Sequence, residues 1–124
     1  TDAWRRAGIG GVESLHGIET HDCCTSTEYM AIDHFGLTPP GQSWQAIDSG
    51  LVEFDGRCPV NASGGLIGVG HPVGATGARL LLDAGRQVTG TAGDYQVNGA
   101  RTYGTLNIGG SLGTVVSFVV GLRD

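Results

Sequence analysis

Apolar residues along the chain form short segments that predict three strands. Residues 15–20 (LHGIET), residues 100–108 (ARTYGTLNI) and residues 114–122 (TVVSFVVGL) each have the length and composition of a strand. A glycine-rich turn over residues 109–113 joins the last two. The third segment is apolar at consecutive positions, and this pattern predicts a central strand that is covered on both faces.

Helical periodicity predicts helices before and between these strands. Residues 2–7 form the end of one helix. A second helix over residues 26–35 starts at a predicted capping box, in which Thr25 caps the helix and Glu28 reaches back to it, and it ends at Gly36. This helix therefore follows the first strand after a turn of a few residues.

A third helix is predicted to begin at Ala75 and to end at Gly90. Its predicted buried face consists of the apolar positions Ala78, Leu81, Leu82, Gly85 and Val88. The glycine-rich run before it, residues 63–77, is predicted to lack regular structure, and residues 38–50 to be a loop with one short helical turn. The order strand, helix, loop, helix, strand, strand predicts a layered α/β domain. The length predicts that residues 1–124 form one domain.

Composition narrows the classes of function. Glycine accounts for 23 of the 124 residues, far above the usual share of roughly 7%. The net charge is −5 and all seven basic residues are arginines without a basic run, so neither nucleic acid nor an anionic membrane is an expected partner. Three cysteines, two of them adjacent, favour a reduced, cytoplasmic protein over a disulfide framework. No apolar stretch approaches the roughly 20 residues of a membrane span.

The glycine-rich run NASGGLIGVGHPVGATG, residues 61–77, is the first candidate site. It lacks the lysine of a phosphate-binding P-loop and the glycine spacing of a dinucleotide fingerprint. The candidate functional residue of this run is therefore His71, which is followed by Pro72 and flanked by small residues. It lies just before a helix N-terminus, which stabilises an anion or a nascent oxyanion. The alternative is a tight turn in which His71 only hydrogen-bonds the backbone.

The sequence His21-Asp22-Cys23-Cys24 is the second candidate site, because it lies where a strand passes into a helix. A thiol at such a junction would have its pKa lowered by the helix N-terminus and by any nearby imidazolium. The alternatives are two small buried thiols and a zinc site, which the tight spacing of the four residues disfavours. Residues 107–113 are a third candidate, since a turn with exposed amides suits an oxyanion hole. Here the alternative is a hairpin turn without a ligand.

Taken together, the three sites resemble the C-terminal half of the thiolase superfamily. Gly70-His71-Pro72 matches the Gly-His-Pro motif of thiolases, and residues 21–24 stand where thiolases carry Asn-Glu-Ala-Phe. They are most similar to the His-Asp-Cys-Phe variant of the sterol carrier protein 2-type thiolases, with Cys24 in place of Phe. Residues 107–109, Asn-Ile-Gly, stand where Cys-x-Gly is found, and that subgroup also lacks the cysteine there. The resemblance implies one half of a thiolase fold, layered α/β/α with a mixed central sheet.

The resemblance also implies roles for four residues. His71 would polarise the thioester oxygen and help to activate a nucleophilic cysteine from the N-terminal half. Cys23 would carry the substrate α-proton, and His21 would hold a water or contribute to a first oxyanion hole. The amide of Gly109 would contribute to a second one. Coenzyme A would be a substrate, with no covalently bound cofactor and no metal.

The implied activity is cleavage or formation of 3-oxoacyl-CoA by an acyltransferase whose C-terminal half is inactive alone. Implied partners are acyl-CoA, an N-terminal thiolase half, a second copy in a homodimer and, in some relatives, a small OB-fold protein of the DUF35 type. One alternative is a retro-aldolase of steroid side-chain acyl-CoA, although such relatives tend to carry Tyr where this chain has His21. Another is a non-catalytic lipid-transfer protein on the same fold.

Overall fold

The computed structural model describes residues 2–122 and shows a mixed α/β fold with a three-stranded sheet. The elements in chain order are α1 (Asp2–Ala7), β1 (Gly17–Thr20), α2 (Thr25–Phe35), α3 (Ser43–Asp48), α4 (Gly65–Val69), α5 (Thr76–Thr89), β2 (Thr102–Gly109) and β3 (Thr114–Gly121). Two short 3-10 turns, Val12–Ser14 and Gly93–Tyr95, lie in the connections. The predicted α/β class and mixed sheet are therefore confirmed.

The sheet has the order β1-β2-β3. β1 runs parallel to β2, with Gly17 opposite Tyr103, whereas β3 returns antiparallel to β2. On the outer side of β1, Val60 forms an isolated parallel bridge to Ile18. The carboxyl end of β1 and the turn that follows β2 therefore lie side by side, which brings two of the candidate sites to one end of the sheet.

Two apolar clusters cover the two faces of the sheet. The larger one packs α2 against β1 through residues such as Ile18 and Ile32, which are fully buried. The smaller one packs Ala84 and Val88 of α5 against Tyr103 of β2. Because successive strand residues point to opposite faces, Ile18 and Glu19 of β1 face different helices.

The structure corrects the predicted position of β3. Among the described residues β3 is paired only with β2, so it is an edge strand and not a central one. Its apolar side chains are partly in solvent, with Val115 52% and Phe118 42% exposed. The apolar run was correctly identified as a strand, but neither face of it is fully covered within this chain.

The predicted buried face of α5 is correct at Val88 and wrong at Ala78 and Leu82, which are exposed. Leu82 is 52% exposed, and the helix instead buries a face that contains Thr76, Leu80, Asp83, Ala84, Gln87 and Val88. Three of these six residues are polar, so an apolar pattern could not identify the face. The glycine-rich run is corrected as well, since α4 is a short helix within it. The cap of α2 lies one residue earlier than predicted, at Cys24 with Thr27 as its partner.

Candidate active site

Three loops converge on one cleft at the end of the sheet. The first follows β1, the second connects α4 to α5, and the third joins β2 to β3. The cleft has a volume of about 350 Å³, and the four residues singled out in the sequence line it together: His21, Cys23, His71 and Gly109. A second cleft of about 280 Å³ adjoins it and shares His21 and Gly109.

The two imidazoles of the cleft meet edge to face. The ring centroids of His21 and His71 are 4.8 Å apart at an interplanar angle of 89°. The backbone N–H of His21 donates to the carbonyl of Leu106 at 3.0 Å, which fixes this loop to β2. Burial, followed by the proximity of His71, lowers the pKa of His21 below its usual value near 6.5. His21 is therefore neutral at pH 7, with one nitrogen to donate and one to accept.

The position of His71 is fixed by Thr76 in the first turn of α5. Nδ1 of His71 lies 2.7 Å from the Thr76 hydroxyl oxygen, which also lies 3.3 Å from the carbonyl oxygen of Pro72. A hydroxyl has one proton, so it donates either to the imidazole or to the carbonyl. Donation to Nδ1 leaves a proton on Nε2, the nitrogen left free for the cleft. The acceptor to which the Thr76 hydroxyl donates therefore determines the tautomer of His71.

The thiol of Cys23 is exposed in the cleft and lies beside Thr27 of α2. The distance from its Sγ to Oγ1 of Thr27 is 3.9 Å. The same hydroxyl accepts from the backbone N–H of Cys24 at 3.2 Å and donates to the Cys24 carbonyl at 2.6 Å. Thr27 was not singled out in the sequence as part of this site. Its position three residues into the helix was the available signal, since that is where a reciprocal cap is expected.

Asp22 lay within the second candidate site without a predicted role of its own, and it connects two of the three loops. Its side chain is buried, and Oδ1 accepts from the backbone N–H of Leu66 at 2.8 Å, in the first turn of α4. Since α4 leads directly to His71, this hydrogen bond fixes the His71 loop relative to the residues on either side of Asp22. Gly65 has a φ of +60°, and a Cβ there would lie 2.2 Å from Oδ2 of Asp22.

We expect Gly65→Ala to lower the free energy of unfolding by at least about 2 kcal/mol, because a left-handed φ and a steric overlap both oppose it. Gly68→Ala in the same helix is the matched control, since its Cβ would meet no atom within 4 Å. Alanine there is favoured over glycine by about 0.5–1 kcal/mol. Urea denaturation of both variants measures the difference, and equal shifts would show that Gly65 is not confined by Asp22.

A buried polar network lies on the α5 side of β1. Glu19 accepts from both the backbone N–H and the hydroxyl of Ser63, at 3.1 Å and 2.6 Å. Arg79 donates to the Ser63 hydroxyl at 3.2 Å and pairs with Asp83 at 2.8 Å. The hydroxyl of Tyr95 completes the network by donating to Asp83 at 2.8 Å. Because Ser63 directly precedes the turn into α4, this network holds the same loop that Asp22 caps.

The Glu19 carboxyl makes the stability of the protein depend on pH. Burial raises its pKa from 4.5 to about 7. Between these two values the folded state binds a proton that the unfolded state has lost, so the free energy of unfolding falls as the pH rises from about 4.5 to 7. A difference of this size corresponds to at most about 3 kcal/mol. We expect the free energy of unfolding of Glu19→Gln, measured by urea denaturation, to fall less than that of the original protein as the pH rises through this range. Parallel pH profiles of the two proteins would contradict this.

Within residues 2–122, no group of three or more His, Cys, Asp or Glu side chains is arranged to hold a metal ion. In the same residues, no helix has the length and apolarity needed to cross a membrane.

The fold and the cleft define a class of protein domain, an α/β layer that brings imidazole, thiol and a glycine turn to one end of its sheet. A family model described as thiolase C-terminal domain-like matches residues 1–122. The chain therefore belongs to the thiolase C-terminal domain-like family, as its sequence resemblance indicated.

Two curated relatives illustrate the range of the family. The chain is 41% identical over 97 residues to an acetyl-CoA acetyltransferase of Methanothermobacter thermautotrophicus, a match that covers 78% of this chain and 25% of that protein. It is 35% identical over 122 residues to sterol carrier protein 2 of Rattus norvegicus, covering 98% of this chain and 22% of that protein. The chain thus spans about a quarter of the length of these relatives.

A solved structure shares the fold. It is described as an Ltp2-ChsH2(DUF35) aldolase and superimposes with a TM-score of 0.83 at 21% sequence identity, covering 96% of this chain and 29% of that chain. At this identity the likeness shows the arrangement of helices and strands and not the reaction.

Proposed function

We propose that this chain supplies the acid–base and oxyanion-binding part of an acyl-CoA thiolase that cleaves or forms 3-oxoacyl-CoA. The observation that carries the proposal is the shared cleft lined by His21, Cys23 and His71. Claisen chemistry passes through an enolate, so it needs a group that exchanges a proton with the α-carbon and donors aimed at the thioester oxygen. The cleft holds both kinds of group, and the similarity to an acetyl-CoA acetyltransferase supports this reaction class.

In this proposal Cys23 takes the α-proton of the substrate and returns it. His71 donates from Nε2 to the thioester oxygen, in the tautomer that Thr76 selects by donating to Nδ1. Neutral His21 holds a water or donates to the same oxygen, and the backbone amide of Gly109 contributes to a second oxyanion hole. In the other tautomer, in which Thr76 donates to the Pro72 carbonyl, Nε2 of His71 is free to help activate a nucleophilic cysteine of the N-terminal half.

The proposed partner of this chain is an N-terminal thiolase half. The edge strand β3 supports this, because it exposes apolar side chains such as Val115 and Phe118, and an exposed apolar edge strand is a surface that a partner typically covers. We further propose that the complete enzyme is a cytoplasmic homodimer of lipid metabolism, with coenzyme A as a substrate and no covalently bound cofactor.

A substrate comparison on the complete protein that carries this domain tests the proposal. A 3-oxoacyl-CoA with free coenzyme A is assayed for thiolysis, and a 3-hydroxyacyl-CoA is assayed for retro-aldol cleavage. We expect turnover of the first and not of the second. Cleavage of the hydroxy substrate alone would replace the thiolase assignment with an aldolase, and binding without turnover of either would indicate a lipid-transfer protein.

The second candidate function is the retro-aldolase, and the fold is compatible with it, because a protein described as an aldolase has the same arrangement of helices and strands. In that case a DUF35-type OB-fold protein is the proposed partner, as the description of that structure indicates. His21 opposes this candidate, since an imidazole replaces the Tyr expected there. Addition of an OB-fold partner should leave thiolysis unchanged if the first proposal is correct.

A further inference from the structure

Cys23 and Cys24 form an exposed pair of adjacent thiols that the proposed reaction uses only in part. Both side chains are exposed, whereas Cys58, the third cysteine of the chain, is fully buried. Burial also raises the pKa of the Cys58 thiol to about 11, so it is a poor nucleophile near neutral pH. Of the three thiols, those of the adjacent pair are therefore the ones accessible to an oxidant.

The two cysteines are adjacent in the chain, both are exposed, and they lie at the start of α2. The neighbouring Cys23 thiol raises the pKa of Cys24. Thr27 anchors both residues through its contacts with Sγ of Cys23 and with the backbone of Cys24. The pair thus presents the sulfur of Cys23 to the cleft and a second exposed thiol on the next residue.

We propose that Cys23 and Cys24 are a redox modification site, at which hydrogen peroxide converts the pair into a reversible vicinal disulfide. The Cys23 thiolate attacks one peroxide oxygen and gives a sulfenic acid, while the other oxygen leaves and is protonated to water. The sulfur of Cys24 then attacks Sγ of Cys23, and the hydroxyl of the sulfenic acid leaves with the Cys24 proton as a second water. Two thiols are oxidised by two electrons and one peroxide is reduced.

The disulfide is expected to be easily reduced. Adjacent Cα atoms lie about 3.8 Å apart, which is below the range of roughly 4.4–6.8 Å in which disulfides are unstrained. Strained and exposed disulfides have more oxidising potentials and are typical of regulatory sites. Cys24 therefore protects Cys23 from further, irreversible oxidation and returns it when a dithiol reductant is present.

The inference rests in one respect on the proposed function, because it predicts that oxidation stops the reaction. A sulfur in a disulfide carries no exchangeable proton, so Cys23 in that state cannot serve the α-carbon of a substrate. Activity should fall in proportion to the oxidised fraction and return on addition of dithiothreitol.

Peptide mass measurement of the complete protein, treated with increasing hydrogen peroxide and then denatured and alkylated, tests the modification. Trypsin places Cys23 and Cys24 together on residues 7–57 and Cys58 on residues 58–79. We expect the first peptide to lose about 2 Da, reversibly with dithiothreitol, while the second remains alkylatable. The exposed Met30 lies on the same peptide, so fragmentation must locate any added oxygen. A gain of about 16 or 32 Da on Cys23 or Cys24 itself, a disulfide between chains, or oxidation of Cys58 first would each overturn the proposal.

Cys24→Ser is the matched variant, since serine also caps a helix and offers no second thiol. In this variant we expect Cys23 to gain oxygen and activity to be lost without recovery in dithiothreitol. The mass change in the unsubstituted protein does not depend on this variant or on any activity. A protein that loses about 2 Da reversibly but turns over neither CoA substrate would refute the proposed function and leave the disulfide standing.

Discussion

Replacing Cys23 with alanine in the complete protein is expected to lower kcat for thiolysis of a 3-oxoacyl-CoA by about 10²–10⁴-fold, the usual contribution of a positioned general acid–base. The thiol is exposed in the cleft beside both imidazoles, and none of the other groups proposed there is assigned the α-proton. KM should change little, because the thiol acts on a proton in the transition state and not on the bound ground state. Steady-state kinetics with varied acyl-CoA measures both parameters.

Cys24→Ser is the control for this substitution, because it removes the neighbouring thiol and keeps a cap on α2. We expect its kcat under reducing conditions to stay within a few-fold of the original. If Cys23→Ala instead retains kcat within a few-fold, the proton is carried by another group in the cleft, and the acid–base assignment is wrong.

Much of the fold was predictable because its strands and α2 have strong local signals. β2 and β3 were predictable from their apolar runs. The end of α2 was predictable from Gly36, which has the left-handed φ of 74° that this position requires. The buried face of α5 was not predictable in this way. Asp83 and Gln87 are buried on it because Arg79, Tyr95 and Gln96 satisfy their hydrogen bonds, and those partners are set by tertiary structure.

The same distinction applies to the candidate site. His71 and the His21–Cys23 segment stood out because their local sequence is unusual, and the structure brings them to one cleft. Asp22 stood inside that segment without a predicted role, since its partner Leu66 is 44 residues away along the chain. Long-range contacts of this kind position the loops, and no local pattern contains them. The roles of the four site residues stay predictions until variants are measured.

The two proton-handling groups in the proposal depend on different supports. Cys23 is placed by Thr27 at the start of α2, whereas His71 is placed by Thr76 at the start of α5. Asp22 and the Glu19 network then hold α4 and its flanking loop against β1. A rigid frame of this kind lets a donor be aimed before the substrate arrives, which is the condition for strong oxyanion stabilisation.

Replacing His71 with alanine is expected to lower kcat by about 10²–10³-fold, the usual effect of removing one oxyanion donor. His71→Gln should recover part of this loss, because its amide can donate to the thioester oxygen even though it cannot act as a base. The recovery separates the two proposed roles of His71. Burst-phase kinetics, which follow formation of the acyl-enzyme, and steady-state turnover measure the base role and the donor role in the same experiment.

His34→Ala is the matched control, since this histidine is exposed and is absent from the residues that line the cleft. Its kcat should equal that of the original protein. Should His71→Gln be as inactive as His71→Ala in both phases, proton abstraction from the nucleophile dominates. His71 would then act chiefly as a base, and Thr76 would have to accept from Nδ1 and donate to Pro72, the opposite tautomer to the one proposed.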